Sequence, residues 1–90
     1  MNVRISTDVV CRILGGEAVM LNLATGVYFG LDDVGTRMWQ LMNEHGSTER
    51  TAAALLAEYD VDEDELRRDL ENLTRQLAEN GILTMDAGGL

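Results

Sequence analysis

Two hydrophobic periods divide the chain. Up to Leu31 the apolar residues alternate or run in short β-branched blocks, as strands require; from Val34 to Leu77 they recur every third or fourth position, as helices require. Val9-Val10-Cys11-Arg12-Ile13-Leu14 predicts a first strand, and Gly15-Gly16 supplies the positive φ values of a tight hairpin. Ala18 to Leu23 alternates, with Val19, Leu21 and Leu23 on one face and Ala18, Met20 and Asn22 on the other. Thr25-Gly26 turns the chain into a third strand, where Val27, Phe29 and Leu31 share one face and Tyr28 and Gly30 the other. Such a meander leaves its third strand at an edge unless something covers it.

Three helices follow. Asp32 or Asp33 caps the first, which carries a stripe of Val34, Met38, Leu41 and Met42 with Trp39 at its margin, and Gly46 ends it. Ser47 caps the second, with Ala52, Leu55, Leu56 and Tyr59 on one face. In the third, Asp62 and Glu65 make a capping box and Val61 and Leu66 a staple. Its core stripe is Leu66, Leu70, Leu73 and Leu77. The pairs Glu63–Arg67, Asp64–Arg68 and Glu71–Arg75 stand in the favourable i,i+4 order, each worth on the order of a few tenths of a kcal/mol. Asn80-Gly81 stops the helix and Ile82 to Met85 adds a short extended segment. Residues 1 to 8 read as an extended lead-in and Asp86 to Leu90 as a frayed tail, so the folded part of a single domain spans about residues 9 to 85. The order βββααα predicts an α+β domain, a three-stranded antiparallel sheet followed by three helices. The short turn between the second and third helices makes it winged-helix-like.

Composition narrows the function. Ninety residues with 46% apolar but only 4% aromatic content fill one core with Leu, Val, Met and Ala. All seven basic residues are Arg, against sixteen acids, and the net charge of -9 repels a phosphate backbone. No apolar run approaches the roughly 20 residues that span a bilayer, and no secretory signal pattern opens the chain. The expectation is a cytoplasmic protein without nucleic-acid or membrane partners.

Catalytic chemistry is hard to place. Cys11 is the only cysteine and His45 the only histidine; Cys11 sits in a strand-like run and reads as a structural thiol. Without Lys there is no phosphate loop, and no cluster has metal-ligand spacing. The acids at 62 to 65 serve capping and the helix dipole. No enzyme and no cofactor are therefore expected. Arg67, Arg68 and Arg75 stand where a recognition helix would carry them, but each follows an acid by four residues and reads as a solvated, paired face. What remains is the edge of the third strand and the groove beside it, where a peptide adds as a strand and sends alternate side chains into pockets. In so small a domain the same large apolar groups also have to serve as core.

The ordered set of signals resembles the PqqD-like family, the recognition elements for ribosomally made, modified peptides. The resemblance runs through Val19-Met20-Leu21-Asn22-Leu23, Thr25-Gly26-Val27-Tyr28-Phe29-Gly30-Leu31-Asp32, Met38-Trp39-Gln40-Leu41, Leu55-Leu56-Ala57-Glu58-Tyr59-Asp60-Val61, Asp69-Leu70-Glu71-Asn72-Leu73 and Leu77-Ala78-Glu79-Asn80-Gly81-Ile82-Leu83. It implies that the leader of a precursor peptide docks as an extra strand along Val27, Tyr28, Phe29, Gly30 and Leu31. The third helix would flank it with Leu66, Asp69, Leu70, Leu73 and Thr74. Asp69 and Thr74 lie on opposite sides of the leucine stripe, and the sequence leaves open which side faces the cleft. The absence of Pro and the early first strand resemble the discrete proteins of lasso-peptide clusters, which present the leader to a separate leader peptidase and an ATP-dependent cyclase. The alternatives are a chaperone of the pyrroloquinoline quinone type, serving a radical SAM enzyme, and an acidic winged-helix regulator.

Overall fold

The computed structural model describes residues 1–86; of the tail expected to fray over Asp86 to Leu90, Asp86 instead ends a strand paired with Asn2, and the rest lies outside the described residues. Strands β2 (Val9–Leu14), β3 (Glu17–Asn22) and β4 (Val27–Gly30) form the antiparallel meander in the order β2-β3-β4. The alternation assigns its faces. Cys11, Met20 and Phe29 lie side by side on the inner face, and Ala18, Met20 and Asn22 are buried. The larger Val19 turns outward, with Val10, Leu21 and Tyr28 in the next outward row. Helices α1 (Asp33–His45), α2 (Thr48–Glu58) and α3 (Glu63–Glu79) cover the inner face, each entered through the expected cap: Asp32, Ser47 and Asp62 accept from the N–H of Gly35, Arg50 and Glu65.

The α+β class stands, but a single three-stranded sheet followed by three helices does not. The lead-in contains β1 (Asn2–Ile5), which pairs antiparallel with β5 (Leu83–Asp86) after the last helix, so strands stand on both sides of the helical segment in two sheets. Val3 points into the core opposite Met85, and its N–H donates to Gly46 O at 3.0 Å. The winged-helix likeness rests on the short turn between the second and third helices; α2 and α3 are indeed joined through Tyr59, Asp60, Val61 and Asp62, but with the strands split between two sheets that turn alone does not establish a winged helix.

Two stripes also shift. In α1, Trp39 is buried with Met38, Leu41 and Met42, while Val34 is 44% exposed. In α3 the buried line is Leu66, Leu70, Thr74 and Leu77, with Leu73 only half-buried. Thr74 takes the core position because its hydroxyl donates to Leu70 O at 2.7 Å, so its own polar hydrogen is paired. Of the three i,i+4 pairs, Glu63–Arg67 and Glu71–Arg75 close at 3.1 Å; Asp64–Arg68 is not among the ion pairs of the described residues.

Candidate functional site

Among the described residues β4 is an edge strand, hydrogen-bonded only to β3. Val19 pairs with Gly30 and Met20 with Phe29, and Leu31 N–H donates to Ala18 O at 2.8 Å. Successive residues of an antiparallel strand turn their N–H and C=O groups to opposite sides. Leu31 and Phe29 therefore bond toward β3, and Tyr28 and Gly30 present theirs to the open side. That row is a template for a further strand.

Beside the open side lies a cleft of about 330 Å³ between β4, the first turns of α1 and the middle of α3. Phe29, Leu31, Val34, Met38 and Leu73 provide apolar surface, and Asp32, Asp69 and Gln76 add polar groups. Two side chains fix the walls. Thr36, buried at the start of α1, accepts from Ala18 N–H at 2.7 Å and so ties α1 to β3. Asn22, buried at the end of β3, donates through Nδ2 to both Asn80 O and Gly81 O at 3.2 Å and accepts from Ala24 N–H at 3.0 Å. It ties the end of α3 to the sheet. Gly35 stands where a Cβ would approach Asp32 Oδ1 to 3.1 Å and Leu31 Cδ2 to 3.3 Å, which keeps the corner between β4 and α1 tight.

Of the residues expected at the site, Phe29, Gly30, Leu31, Asp69 and Leu73 come together around this cleft. Val27 and Tyr28 lie on the same strand outside it; Tyr28 is 70% exposed on the outer face of the sheet. Leu66, Leu70 and Thr74 are buried, and Leu70 and Thr74 border a different groove on the other flank of α3. The flank that faces β4 thus carries Asp69, Leu73 and Gln76. These sequence signals do not reveal the contribution of α1: Asp32 carries a capping signal, and Val34 and Met38 a core-stripe signal, yet all three line the cleft. The one pointer to it is the position of Val34 in the first turn, directly after the edge strand.

The groove on the other flank is larger, about 510 Å³, and runs between α2, α3 and the ends of β1 and β5. Its polar groups are already engaged. Arg67 and Arg75 pair with Glu63 and Glu71, Glu49 pairs with the terminal ammonium, and Met1 O accepts from Thr48 N–H. That pairing holds the Glu49 carboxyl down at about 2. The smaller cleft adjoins an open strand edge, and it is the better candidate for binding a chain segment. Cys11 lies in β2, away from both; burial pushes its thiol pKa up, opposite to what a nucleophile needs. Among the described residues no group of three or more His, Cys, Asp or Glu is placed to hold a metal ion, and no helix is long and apolar enough to cross a membrane.

The family described as Coenzyme PQQ synthesis protein D (PqqD) matches residues 17–83. Two solved structures share the fold over nearly the whole length of both chains. TbiB1 in complex with the TbiA(beta) leader peptide is 43% identical, with a TM-score of 0.86, and the match covers 93% of this chain and 98% of that one. A lasso peptide synthetase B1 complexed with its leader peptide is 25% identical, with a TM-score of 0.82 and coverage of 94% and 100%. No curated protein matches the sequence.

Proposed function

Because the chain belongs to the PqqD family, we propose that it is a non-catalytic recognition protein for the leader segment of a ribosomally synthesised precursor peptide. The leader adds as a strand to the open side of β4 and anchors apolar side chains between Phe29, Leu31, Val34, Met38 and Leu73. The observation that carries this reading is one coincidence of geometry: the free backbone groups of Tyr28 and Gly30 run directly beside the cleft. Backbone pairing gives affinity without sequence demands, and the cleft adds selectivity. Asp32 and Asp69 at its rim favour a leader with a basic or hydrogen-bond-donating group next to its apolar anchors. A net charge of -9 acts in the same direction over longer range.

The work done is physical. A flexible leader becomes an ordered strand, and the core peptide attached to it is held at high effective concentration for the processing enzymes. Ordering the leader costs entropy, which the buried anchors and the ladder hydrogen bonds offset. The likeness to a lasso peptide synthetase B1 and to TbiB1, both in complex with leader peptides, supports a place in lasso peptide biosynthesis, with a separate leader peptidase and an ATP-dependent cyclase as the enzymes served.

Fluorescence anisotropy with a labelled TbiA(beta) leader peptide tests the reading. Leu73→Asp puts a charge on the cleft wall at a half-buried position, so the fold survives while peptide binding drops at least about tenfold. Leu70→Asp is no substitute, because Leu70 is 2% exposed in the core and the change would unfold the domain. Arg75→Ala, on the far flank of α3, leaves affinity unchanged. A Leu73→Asp variant with native circular dichroism and wild-type affinity would refute the cleft assignment. Saturable binding of a random DNA duplex in place of the peptide would favour the winged-helix regulator.

A further inference from the structure

Gly30 has no folded-state reason to be glycine. Every other described glycine has one: each takes a positive φ or, at Gly35, is hemmed in by the cap of α1. Gly30 lies in ordinary strand conformation, and a Cβ there would meet no heavy atom within 4 Å outside its chain neighbours. Glycine in a strand gives up both stability and a packing side chain, and it commonly marks a place where another chain approaches closely.

The position lies on the outer face of the sheet, paired with Val19 across β3 and two residues from Tyr28 along β4, which are 40% and 70% exposed. Its N–H and C=O face the open edge. The missing side chain therefore leaves a trough one side chain wide, walled by Val19 and Tyr28, open toward any strand added to β4. A bulky side chain on that strand can fold sideways over the glycine and pack on both walls, as aromatics do when they cover glycine in sheets.

We propose that the bound leader places one large side chain, aromatic by preference, over Gly30 on the face away from the helices. This rests on the strand-addition reading and extends it to a second subsite. The recognised segment then has a three-residue signature: apolar anchors on either side enter the cleft, and the large residue between them covers Gly30. The cleft reads one parity of the leader and the trough the other.

The test compares wild type, Gly30→Ala and Gly30→Val against the labelled TbiA(beta) leader peptide and its single-alanine variants. Both protein variants melt at or above the wild-type temperature, because either side chain restricts the unfolded chain relative to glycine and meets open space at this position. Gly30→Val weakens the parent peptide by about tenfold, and Gly30→Ala by less. One alanine variant of the peptide, at a large side chain, binds wild type and Gly30→Val within about twofold of each other, because clash and contact vanish together. Parent-peptide affinity unchanged by Gly30→Val would overturn the proposal. So would equal weakening of every alanine variant, which would assign the glycine to backbone approach alone. Absence of any peptide binding by wild type would overturn the strand-addition reading, and this inference with it.

Discussion

Replacing Asn22 by Asp alters a single atom's chemistry at the joint between sheet and helix. Nδ2 of Asn22 donates to two carbonyls at the end of α3, those of Asn80 and Gly81, each at 3.2 Å. Asn22→Asp removes that donor and sets a carboxylate against two carbonyl oxygens in a position only 4% exposed. Losing the donor costs about 1 kcal/mol for each carbonyl, and an unpaired buried charge adds at least as much again. The expected loss is about 2–4 kcal/mol at pH 7, a large share of the roughly 5–13 kcal/mol that holds a ninety-residue domain. The backbone cannot yield easily, since Gly81 has φ 71° and a Cβ there would stand 2.6 Å from the same Nδ2. Urea unfolding at two pH values checks the sign. Burial among carbonyls raises the folded-state pKa of the introduced carboxyl above its unfolded value near about 3.9. The deficit is therefore smallest below that pH and grows as pH rises toward the folded pKa. Peptide affinity falls in parallel, because Leu73 and Gln76 ride on the helix that Asn22 anchors. A variant within about 0.5 kcal/mol of wild type at pH 7, with an unchanged m-value, would refute the reasoning.

Two further expectations follow from the surface and the thiol. Arg37 donates to Glu58 across α1 and α2, with Nε 2.9 Å from Oε2, and the guanidinium holds the Glu58 carboxyl below its usual range. A depressed carboxylate contributes stability above its unfolded pKa and loses it as pH falls, so the melting temperatures of wild type and Glu58→Gln converge as pH falls below the ordinary carboxylate range; high salt also narrows the gap, since the pair is exposed. A gap that ignores both pH and salt would exclude the ion pair as its source. Cys11, with its thiol pKa raised by burial, is alkylated by iodoacetamide at about pH 8 more slowly in the folded protein than in urea, and equal rates would contradict a packed thiol.

Local signals were legible where local chemistry decides them. Gly15-Gly16 and Thr25-Gly26 fixed the hairpins, and Asp32, Ser47 and Asp62 fixed the helix starts, because each acts through neighbours a few residues away. β1 was not legible, since Asn2-Val3-Arg4-Ile5 is too short to show a period and its partner lies at the far end of the chain. The facing of α3 was not legible either. Leu73 and Thr74 are adjacent, and hydropathy alone gives the core position to the leucine; the self-satisfied threonine hydroxyl and the packing of α2 reverse that. The site followed the same divide: the edge strand was readable from the meander, while the share of α1 in the cleft depended on a corner only the fold shows.

The two sheets differ in how far along the chain their partners lie, and this sets an order of assembly. The meander closes through hairpins between neighbouring strands, whereas β1 must find β5 across almost the entire sequence, from Asn2 to Asp86. Closing the longer loop costs more chain entropy and waits for the helices to bring its ends together. The ribbon is thus the last part to form and the first to open. Native-state hydrogen exchange should find the amides of Arg4 and Ser6, which face β5 (Ser6 N–H donates to Ile82 O), released by a smaller opening than those of Met20 and Leu21. The strand edge proposed to receive the leader belongs to the early, persistent unit, so recognition there would outlast a fluctuation that unzips β1 from β5.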